Sequence, residues 1–482
     1  MRLLSYFTRG RIIALIAAAL LTVLLGLLPA VAGRATCSVD NVEVACPADP
    51  VGPRGEAVSD QFAFGHRPLG TEGSITARLA SMTGTITYPP PGHDRIVDGL
   101  VPWAKAGLII KDGLAPGSSY AAIMFTGAHG VRMQHDYVHD TAGSASGTHW
   151  VRLTRSGEVV TGYESPDGIT WTPVGTARLD GLPSVVQVGL FATSPGDLSV
   201  VGGSTQVRFT QAGAEFDHVT VTGSPETAWT STTVGEMGTT DWERDHLAPG
   251  LVEAGDTLRI TGSGDIGPVG TIGGVSIEDT LLGLPVLLVF VIVLGARFRG
   301  SVPAVFGATL ATALVAVGIT VPLGTLALRA AGSTVLPVSA LTAARVVVGV
   351  ALVVALIAVL ARALRSWLAA SALTVVPYVL AVHPLLPDGV ADWLLRLTPA
   401  AGFAVQQTAG EFPQVLAHYT PAAGYFPLPG WAGLVITVAY VVAALVLMRW
   451  VADRRQTTLS SATRGSGPAV PRSGPIRTVH RP

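Results

Sequence analysis

The chain has 482 residues, of which 49% are hydrophobic and 13% are charged, and its formal net charge at pH 7 is −1. Soluble proteins have about 25% charged residues, so this composition excludes an ordinary soluble protein. The sequence has no basic face with interleaved aromatic residues, which excludes a nucleic-acid partner.

The first predicted element is an apolar segment at Ile12–Ala32, in a region 1–33 that we assign to a cytoplasmic N-terminus and a first transmembrane helix. About 20 apolar residues are needed to cross a bilayer core, so this segment is long enough. The run Ala30-Val31-Ala32 after a basic start is also typical of a signal peptide. We predict an uncleaved anchor, because signal-peptide cores usually have about 7–15 residues. Both interpretations place residues 34–278 outside the cytoplasm.

Residues 34–57 are predicted to be a linker that contains the only two cysteines of the sequence, Cys37 and Cys46. An oxidising compartment would favour a disulfide between them. Two free thiols are the alternative.

Short alternating runs predict an all-β sandwich at residues 58–223. The runs are separated by Gly, Pro, Asp and Ser, and Ser165-Pro-Asp-Gly168 is a strong turn signal. Residues 224–278 are predicted to form a further β-rich spacer that leads into the second span.

The predicted sandwich at residues 58–223 resembles the concanavalin A-like domains of the DUF1349 type. The resemblance lies in the order and spacing of Ala106–Gly113, Ser119–Ala122, Trp150–Gly157, Gly162–Trp171, Val188–Thr193 and Phe216–Asp217. It implies a jelly-roll sandwich, a fold that occurs in sugar-binding proteins, enzymes and adhesive domains alike. The resemblance therefore predicts a fold and no particular ligand.

Two groups of side chains in the sandwich are candidate contacts for an external ligand. Trp103, Trp150 and Trp171 would stack on a sugar ring, and the alternative is that they fill the core. His135 and His139 belong to an ionisable cluster with neighbouring acids, where imidazole and carboxylate groups would suit zinc or a similar ion. We favour a polar loop over a metal site and predict no metal, no cofactor and no catalytic residue.

Five more apolar segments crowd into a membrane block at 279–456, so the sequence predicts six spans. The later five are Leu281–Ala296, Val302–Leu323, Val338–Leu360, Trp367–Val382 and Trp431–Trp450. Basic clusters between the spans all fall on one side if both termini are cytoplasmic, as the positive-inside rule requires. The expected fold is a multi-pass α-helical membrane protein of the plasma (cytoplasmic) membrane with an inserted extracytoplasmic all-β sandwich.

Two further features of the membrane block are predicted. Arg345 lies in the fourth span, either as a pathway or interhelix contact or as an interfacial side chain that points outward. Residues 388–428 contain short apolar pieces interrupted by Pro399, which indicates an external re-entrant segment. The tail 457–482, rich in Ser, Gly, Pro and Arg, is predicted to be disordered in the cytoplasm.

The first span and residues 280–456 resemble the ABC-2 type permeases of actinobacteria. The resemblance lies in Leu336–Ser339, Leu341–Gly349, Trp393–Thr408, Tyr419–Pro427 and Gly430–Gly433. It implies a six-helix permease in the lipid bilayer that forms a homodimer or pairs with a similar subunit. A separate ATPase subunit is expected to hydrolyse ATP, because the sequence lacks a phosphate-binding Gly-x-x-x-x-Gly-Lys-Ser/Thr loop. The substrate would be exported, and the sandwich would bind a glycan or polymer outside.

One departure from the family concerns the connection between the second and third spans. Such permeases usually have a longer basic segment there, where a coupling helix meets the ATPase, and only Ala296–Ser301 is present here. The candidate coupling residues are Arg9, Arg11, Arg297 and Arg299. A membrane-anchored recognition or adhesion protein whose transport function has decayed is the alternative, and a membrane-tethered carbohydrate-active enzyme is a third.

Overall fold

A computed structural model describes residues 8–32, 37–39, 42–44, 50–88, 95–201, 204–225, 227–235, 249–270, 274–383, 385–415 and 419–464. The strands are β1 Cys37–Val39, β2 Val42–Val44, β3 Val58–Asp60, β4 Phe62–Leu69, β5 Glu72–Thr87, β6 Ile96–Asp98, β7 Lys105–Lys111, β8 Tyr120–Thr126, β9 Val131–His135, β10 His139–Ala142, β11 Trp150–Ser156, β12 Val159–Ser165, β13 Thr172–Arg178, β14 Val186–Thr193, β15 Asp197–Val201, β16 Ser204–Thr222, β17 Thr230–Val234, β18 Gly250–Ala254, β19 Thr257–Gly262 and β20 Ile266–Pro268.

Two antiparallel sheets form the predicted sandwich, which is thereby confirmed. Sheet A has the strand order β10-β9-β8-β7-β14-β4-β17. Sheet B has the order β13-β12-β11-β5-β16-β19-β18, with β6 paired to β5 and β15 paired to β16. Side chains alternate between the two faces of a strand, so every second residue of each sheet points into the space between the sheets. Leu108 and Ile110 of β7 and Leu153 of β11 are fully buried in that core.

The predicted separation of a sandwich at 58–223 from a spacer at 224–278 is wrong. Strand β17 pairs with β4 at the edge of sheet A, and β19 pairs with β16 inside sheet B. The physical reason is the alternation of β19, because Leu258 and Ile260 point into the core beside Phe216. The later strands therefore complete the sandwich.

The outer face of sheet A is covered by a short ribbon formed by β3 and β20. The two strands are antiparallel, with Ile266 opposite Asp60 and Pro268 opposite Val58. They cover a second apolar cluster that includes Phe62, Phe64 and Ile109. Strand β7 is therefore buried on both faces, which explains why Lys105–Lys111 has an almost continuous apolar run.

The helices are α1 Arg9–Gly26, α2 Leu28–Ala32, α3 Leu284–Arg297, α4 Val302–Ala330, α5 Ala340–Leu364, α6 Trp367–Leu373, α7 Val375–Val382, α8 Asp388–Leu397 and α9 Gly430–Arg464, with 3₁₀ helices at Ile277–Gly283, Pro399–Gln406 and Pro421–Ala423. Across the described residues, five helical stretches are long and apolar enough to cross a membrane: Arg9–Val31, Ile277–Arg297, Val302–Ala330, Ala340–Leu364 and Gly430–Arg454. The predicted combination of a β-sandwich with helices long and apolar enough to cross a membrane is confirmed, and the predicted number of six spans is not tested.

The remaining predicted span, Trp367–Val382, is two short helices and not one long helix. The break lies at Thr374, whose φ of −125° and ψ of −63° are not helical. Pro377 contributes to the break, since proline has no N–H to donate to a carbonyl in the preceding turn. The hydroxyl of Thr374 instead donates to the Ala370 carbonyl at 2.7 Å.

The segment between α7 and α9 enters the helix bundle. Every residue of the 3₁₀ helix Pro399–Gln406 is buried, and this helix packs against α5 and α9. The packing depends on glycine, because a Cβ at Gly433 would collide with the Ala401 carbonyl oxygen, and one at Gly402 would collide with the Thr437 hydroxyl. Small residues at such contacts are typical of helix packing in membranes.

The C-terminal helix is longer than predicted. It continues beyond Trp450 to Arg464 and so includes the first part of the tail predicted to be disordered at 457–482. Residues 465–482 lie outside the described residues.

Candidate functional site

The outer face of sheet A contains both lysines of the chain in a fully buried state. Lys111 Nζ lies 2.8 Å from Asp60 Oδ2, and Lys105 Nζ lies 2.8 Å from Asp265 Oδ1. Both aspartates lie at the β3–β20 ribbon, so each ion pair joins the ribbon to strand β7. The lysine side chains have 0% exposure. The ribbon is therefore fixed to the sandwich by charge as well as by apolar contact.

Tyr137 completes the buried network around Asp60. Its hydroxyl donates to Asp60 Oδ2 at 2.8 Å, and the Gly117 amide donates to the same oxygen at 2.8 Å. Burial lowers the pKa of Lys111, and the Asp60 carboxylate opposes that shift. Burial also raises the pKa of Tyr137, with Asp60 as the second cause. Lys111, Asp60 and Tyr137 therefore form a buried hydrogen-bonded network that fixes the ribbon to the sandwich.

The predicted histidine candidates, His135 and His139, lie opposite each other on β9 and β10. Their rings stack with centroids 4.2 Å apart. Burial lowers the pKa of His135 to about 4, and the neighbouring His139 adds to the shift. The acid Asp140 pairs with Arg132, so it is not aimed at the imidazoles. Over the described ranges, no group of three or more His, Cys, Asp or Glu side chains is arranged to hold a metal ion.

The predicted tryptophan candidates lie on different sheets. Trp103 precedes β7 of sheet A, is buried, and stacks on His129 with centroids 4.0 Å apart. Trp150 and Trp171 are half-buried on the sheet B side. The Arg152 guanidinium lies 3.9 Å from the centre of the Trp171 ring, and Trp150 lies on the same strand face as Arg152. The structure therefore brings Trp150 and Trp171 to one surface and excludes Trp103 from it.

The predicted coupling residues lie at the end of the helix bundle that faces away from the sandwich. Arg9, Arg297 and Arg299 are exposed there. The Arg11 guanidinium lies 4.9 Å from the centre of the Phe298 ring, so the start of α1 is beside the α3–α4 connection. The Nε–H group of Arg362, at the end of α5, donates to the Gly300 carbonyl at 2.9 Å. The end of α5 therefore also lies beside the α3–α4 connection.

Arg345 lies at the sandwich end of α5 and is exposed. Its Nη2 donates to the Gln407 carbonyl at 2.6 Å, which joins α5 to the segment that follows the buried 3₁₀ helix. The contact connects two parts of the bundle.

A cavity of about 160 Å³ opens at the sandwich end of the bundle. We name it the sandwich-end cavity, and it is lined by Glu278, Asp279, Leu281, Leu282, Pro285, Tyr378, Val382, His383, Gln406, Pro421, Ala422, Gly424 and Phe426. Glu278 is 8% exposed, and its Oε1 accepts the Thr408 amide at 2.9 Å, while Oε2 accepts the Thr408 hydroxyl. Gln406 Nε2 donates to the Tyr378 hydroxyl at 3.2 Å.

Sequence reasoning missed Glu278 and Gln406, which line this cavity. A signal was present for Glu278, since Glu278 and Asp279 immediately precede an apolar run that forms a span. An acid at that position would face water, a partner or a cavity. No comparable signal marks Gln406. The disulfide predicted between Cys37 and Cys46 cannot be placed, because Cys46 lies outside the described residues.

No family model and no curated protein matches the chain. A mutant of the GH43 protein BlXynB from Bacillus licheniformis is 14% identical over 32% of this chain and 28% of that one, with a TM-score of 0.19. A functionally unknown protein from Saccharomyces cerevisiae is 15% identical over 40% and 94% of the two chains, with a TM-score of 0.22. Scytalido-glutamic peptidase is 7% identical over 44% and 100%, with a TM-score of 0.25. Similarities this low carry no argument about function.

Proposed function

We propose that the chain is the permease subunit of an ATP-driven exporter of the ABC-2 type, with the sandwich as its external domain. The observation that carries the proposal is the buried 3₁₀ helix Pro399–Gln406 between α5 and α9. A short apolar segment that enters a helix bundle from the sandwich side fits the re-entrant segment expected of these permeases. Irregular backbone at membrane depth is tolerated where protein buries it.

The proposed orientation has both termini in the cytoplasm and the sandwich outside, in the plasma membrane. It requires the broken pair α6–α7 to serve as a sixth crossing together with the five long stretches. The contacts of Arg11 with Phe298 and of Arg362 with Gly300 support it, because they gather basic residues at the end opposite the sandwich. The positive-inside rule places such an end in the cytoplasm.

The exposed arginines at that end are the proposed contact with a separate ATPase subunit. Arg9, Arg297 and Arg299 project from two adjacent parts of the chain, the start of α1 and the α3–α4 connection. A guanidinium group binds carboxylates in a bidentate manner, so an acidic surface on the ATPase would suit it. A second permease subunit, identical or similar, would pack against the exposed apolar side chains of α9, which include Val435, Val438 and Val442.

The outer surface of sheet B is the proposed contact with an external glycan or polymer. Trp150 and Trp171 are half-buried there, with Arg152 against the Trp171 ring. Aromatic faces and neighbouring guanidinium groups suit sugar rings and their hydroxyls.

The test is affinity purification of the tagged chain from its native membranes in a mild detergent. We expect a stoichiometric ATPase whose hydrolysis the chain stimulates. The double variant Arg297→Gln with Arg299→Gln should lose the ATPase. The control Arg345→Gln, which removes a charge at the opposite end, should retain it. Recovery of folded chain without any ATPase would overturn the proposal.

One observation favours a second function, a membrane-anchored recognition protein without transport. Helix α3 ends at Arg297 and α4 begins at Val302, so the connection offers little surface for coupling to an ATPase. Binding of the purified chain to cell-wall polymer, together with the absence of an ATPase partner, would support this alternative.

A further inference from the structure

The sandwich-end cavity contains a buried carboxylate, Glu278, that has no ion-pair partner among the described residues. Glu278 is 8% exposed, and one of its oxygens accepts the Thr408 amide while the other accepts the Thr408 hydroxyl. In the part of the chain that the structure describes, no Arg, Lys or His side chain forms an ion pair with Glu278 or Asp279. An ionised carboxylate away from water is costly unless a cation or a proton compensates it. The site therefore favours a positive charge from outside the chain.

A second polar group in the cavity points to the same conclusion independently. Gln406 is 5% exposed and lines the cavity. Its Nε2 donates to the Tyr378 hydroxyl, but among the described residues its Oε1 is buried without a hydrogen-bond partner. A buried acceptor without a donor destabilises the folded state. A ligand with N–H groups would satisfy it.

The size and walls of the cavity restrict the ligand further. Its volume is about 160 Å³, and a protein cavity of about 150 Å³ holds a molecule the size of benzene. Leu281, Pro285 and Phe426 supply apolar walls beside the carboxylates. A small apolar group that carries a positive charge fits both features.

An inorganic cation fits less well. Calcium takes about six to eight oxygen ligands and magnesium requires an octahedral shell. Within the described ranges, no set of three or more His, Cys, Asp or Glu side chains could hold a metal ion. The two acids would leave most of such a shell to water.

We propose that the sandwich-end cavity binds a primary ammonium group carried on a short apolar chain. The ammonium would lie between Glu278 and Asp279 and would donate to Gln406 Oε1, and the chain would lie against Leu281 and Phe426. The inference deepens the proposed function by naming the chemistry of the transported molecule, and for that role it rests on the permease proposal. The binding itself requires no ATPase.

The test uses the full chain in phosphatidylcholine nanodiscs and isothermal titration calorimetry at pH 7. The probes are n-butylammonium, the neutral 1-butanol of similar size, and tetramethylammonium, which has the charge but no N–H donor. We expect n-butylammonium to bind at least tenfold more tightly than either of the others. Equal binding of 1-butanol, or no saturable binding of n-butylammonium, would overturn the proposal, and neither outcome depends on a variant.

Two variants locate the site. Glu278→Gln should weaken n-butylammonium binding at least tenfold. The matched control Glu253→Gln makes the same change at an exposed residue of β18 and should leave the affinity unchanged. If Glu278→Gln fails to fold, Asp279→Asn at the exposed rim of the cavity takes its place and should also weaken binding. Unchanged affinity in a folded variant of Glu278 would exclude this cavity.

A lipid headgroup and a soluble amine would both supply a primary ammonium. Nanodiscs that contain phosphatidylethanolamine distinguish them, because this lipid would compete with n-butylammonium if its headgroup reaches the cavity. Weaker n-butylammonium binding in these nanodiscs assigns the lipid as the source of the ammonium group. An unchanged n-butylammonium affinity assigns a soluble amine. Both results support an ammonium site. Binding without a co-purifying ATPase would retain the site and remove only its role in transport.

Discussion

In the sandwich each lysine is buried against an aspartate, whereas in the helix bundle Glu278 is buried against a threonine. The sandwich thus pairs both of its buried lysines with carboxylates of its own. The bundle leaves two carboxylates at its sandwich end without a positive partner among the described residues. The ion pairs fix the β3–β20 ribbon to the sandwich, and the unpaired carboxylates mark where we propose that a cationic ligand binds.

The two regions also fill space differently. Large side chains such as Phe62, Phe64 and Phe191 fill the outer cluster of sheet A. The bundle is held together by close approaches at glycine, for example Gly433 against the Ala401 carbonyl. Small residues let backbones approach, and they leave room for irregular segments and a cavity.

The largest expected effect comes from breaking the buried ion pair between Lys111 and Asp60 in the sandwich. Lys111→Met leaves Asp60 buried and unpaired, which should lower the free energy of unfolding by about 3–5 kcal/mol. Urea denaturation of the full chain in detergent, followed by tryptophan fluorescence, measures it. The control Arg178→Met removes an exposed pair with Glu158 and should cost at most about 1 kcal/mol. Equal losses in the free energy of unfolding of the two variants would contradict the expected difference between a buried and an exposed ion pair.

The close packing of the bundle is tested by Gly433→Ala. The added methyl group would collide with the Ala401 carbonyl, so we expect a loss of about 1–3 kcal/mol from overpacking. Thermal unfolding of the detergent-solubilised chain measures it, with Gly389→Ala as the control because a Cβ there meets open space. A destabilisation no greater than in the control would show that the 3₁₀ helix can move away from α9.

The stacked histidines predict a pH dependence of the stability of the sandwich. Burial and the nearby His139 lower the pKa of His135 from 6.5 to about 4 in the folded chain. The unfolded state then binds more protons between these values, so the stability present above pH 6.5 is lost as the pH falls toward 4.

We expect that loss to be about 1–2 kcal/mol, which allows for screening by solvent because His135 is only partly buried. Denaturation at pH 7 and pH 4.5 measures it. His135→Gln should remove most of the dependence, and His149→Gln, at an exposed residue, should leave it intact. An identical pH profile for His135→Gln would refute this assignment.

The smallest effect concerns the outer surface of sheet B. Arg152→Gln removes the guanidinium from the Trp171 ring and should cost about 0.5–1 kcal/mol. The same variant should weaken binding of a cell-wall polysaccharide in a sedimentation assay if this surface contacts the ligand. Trp103→Phe, on the other sheet, serves as the control and should not alter that binding.

Periodicity in the sequence predicts much of this fold. Alternation in runs such as Trp150–Ser156 identifies strands, and apolar length identifies the helices that could cross a membrane. The ribbon on sheet A is not predictable in this way, because β3 and β20 pair across more than 200 positions of sequence and are three residues long. The break at Thr374 is hidden within an apolar run whose composition alone suits a span.

The candidate site is less accessible to sequence reasoning than the fold. Trp150 and Trp171 are conspicuous residues, but only the register of β11 and the position of Arg152 bring them to one surface. Glu278, Tyr378 and Gln406 come from three separate segments, and only the packing of those segments forms the cavity. An unsatisfied amide oxygen has no signature in a sequence.

The β3–β20 ribbon makes the sandwich a domain that could be removed or exchanged by protein engineering. Its two strands lie about 5 Å apart, and the Val269 amide donates to the Ala57 carbonyl at 3.1 Å, which continues the pairing toward the helices. The sandwich therefore starts and finishes at one point, so the bundle need not rearrange to accommodate it. Joining Ala57 to Val269 with a few residues would excise the entire sandwich, and a different domain with adjacent termini could be grafted in its place.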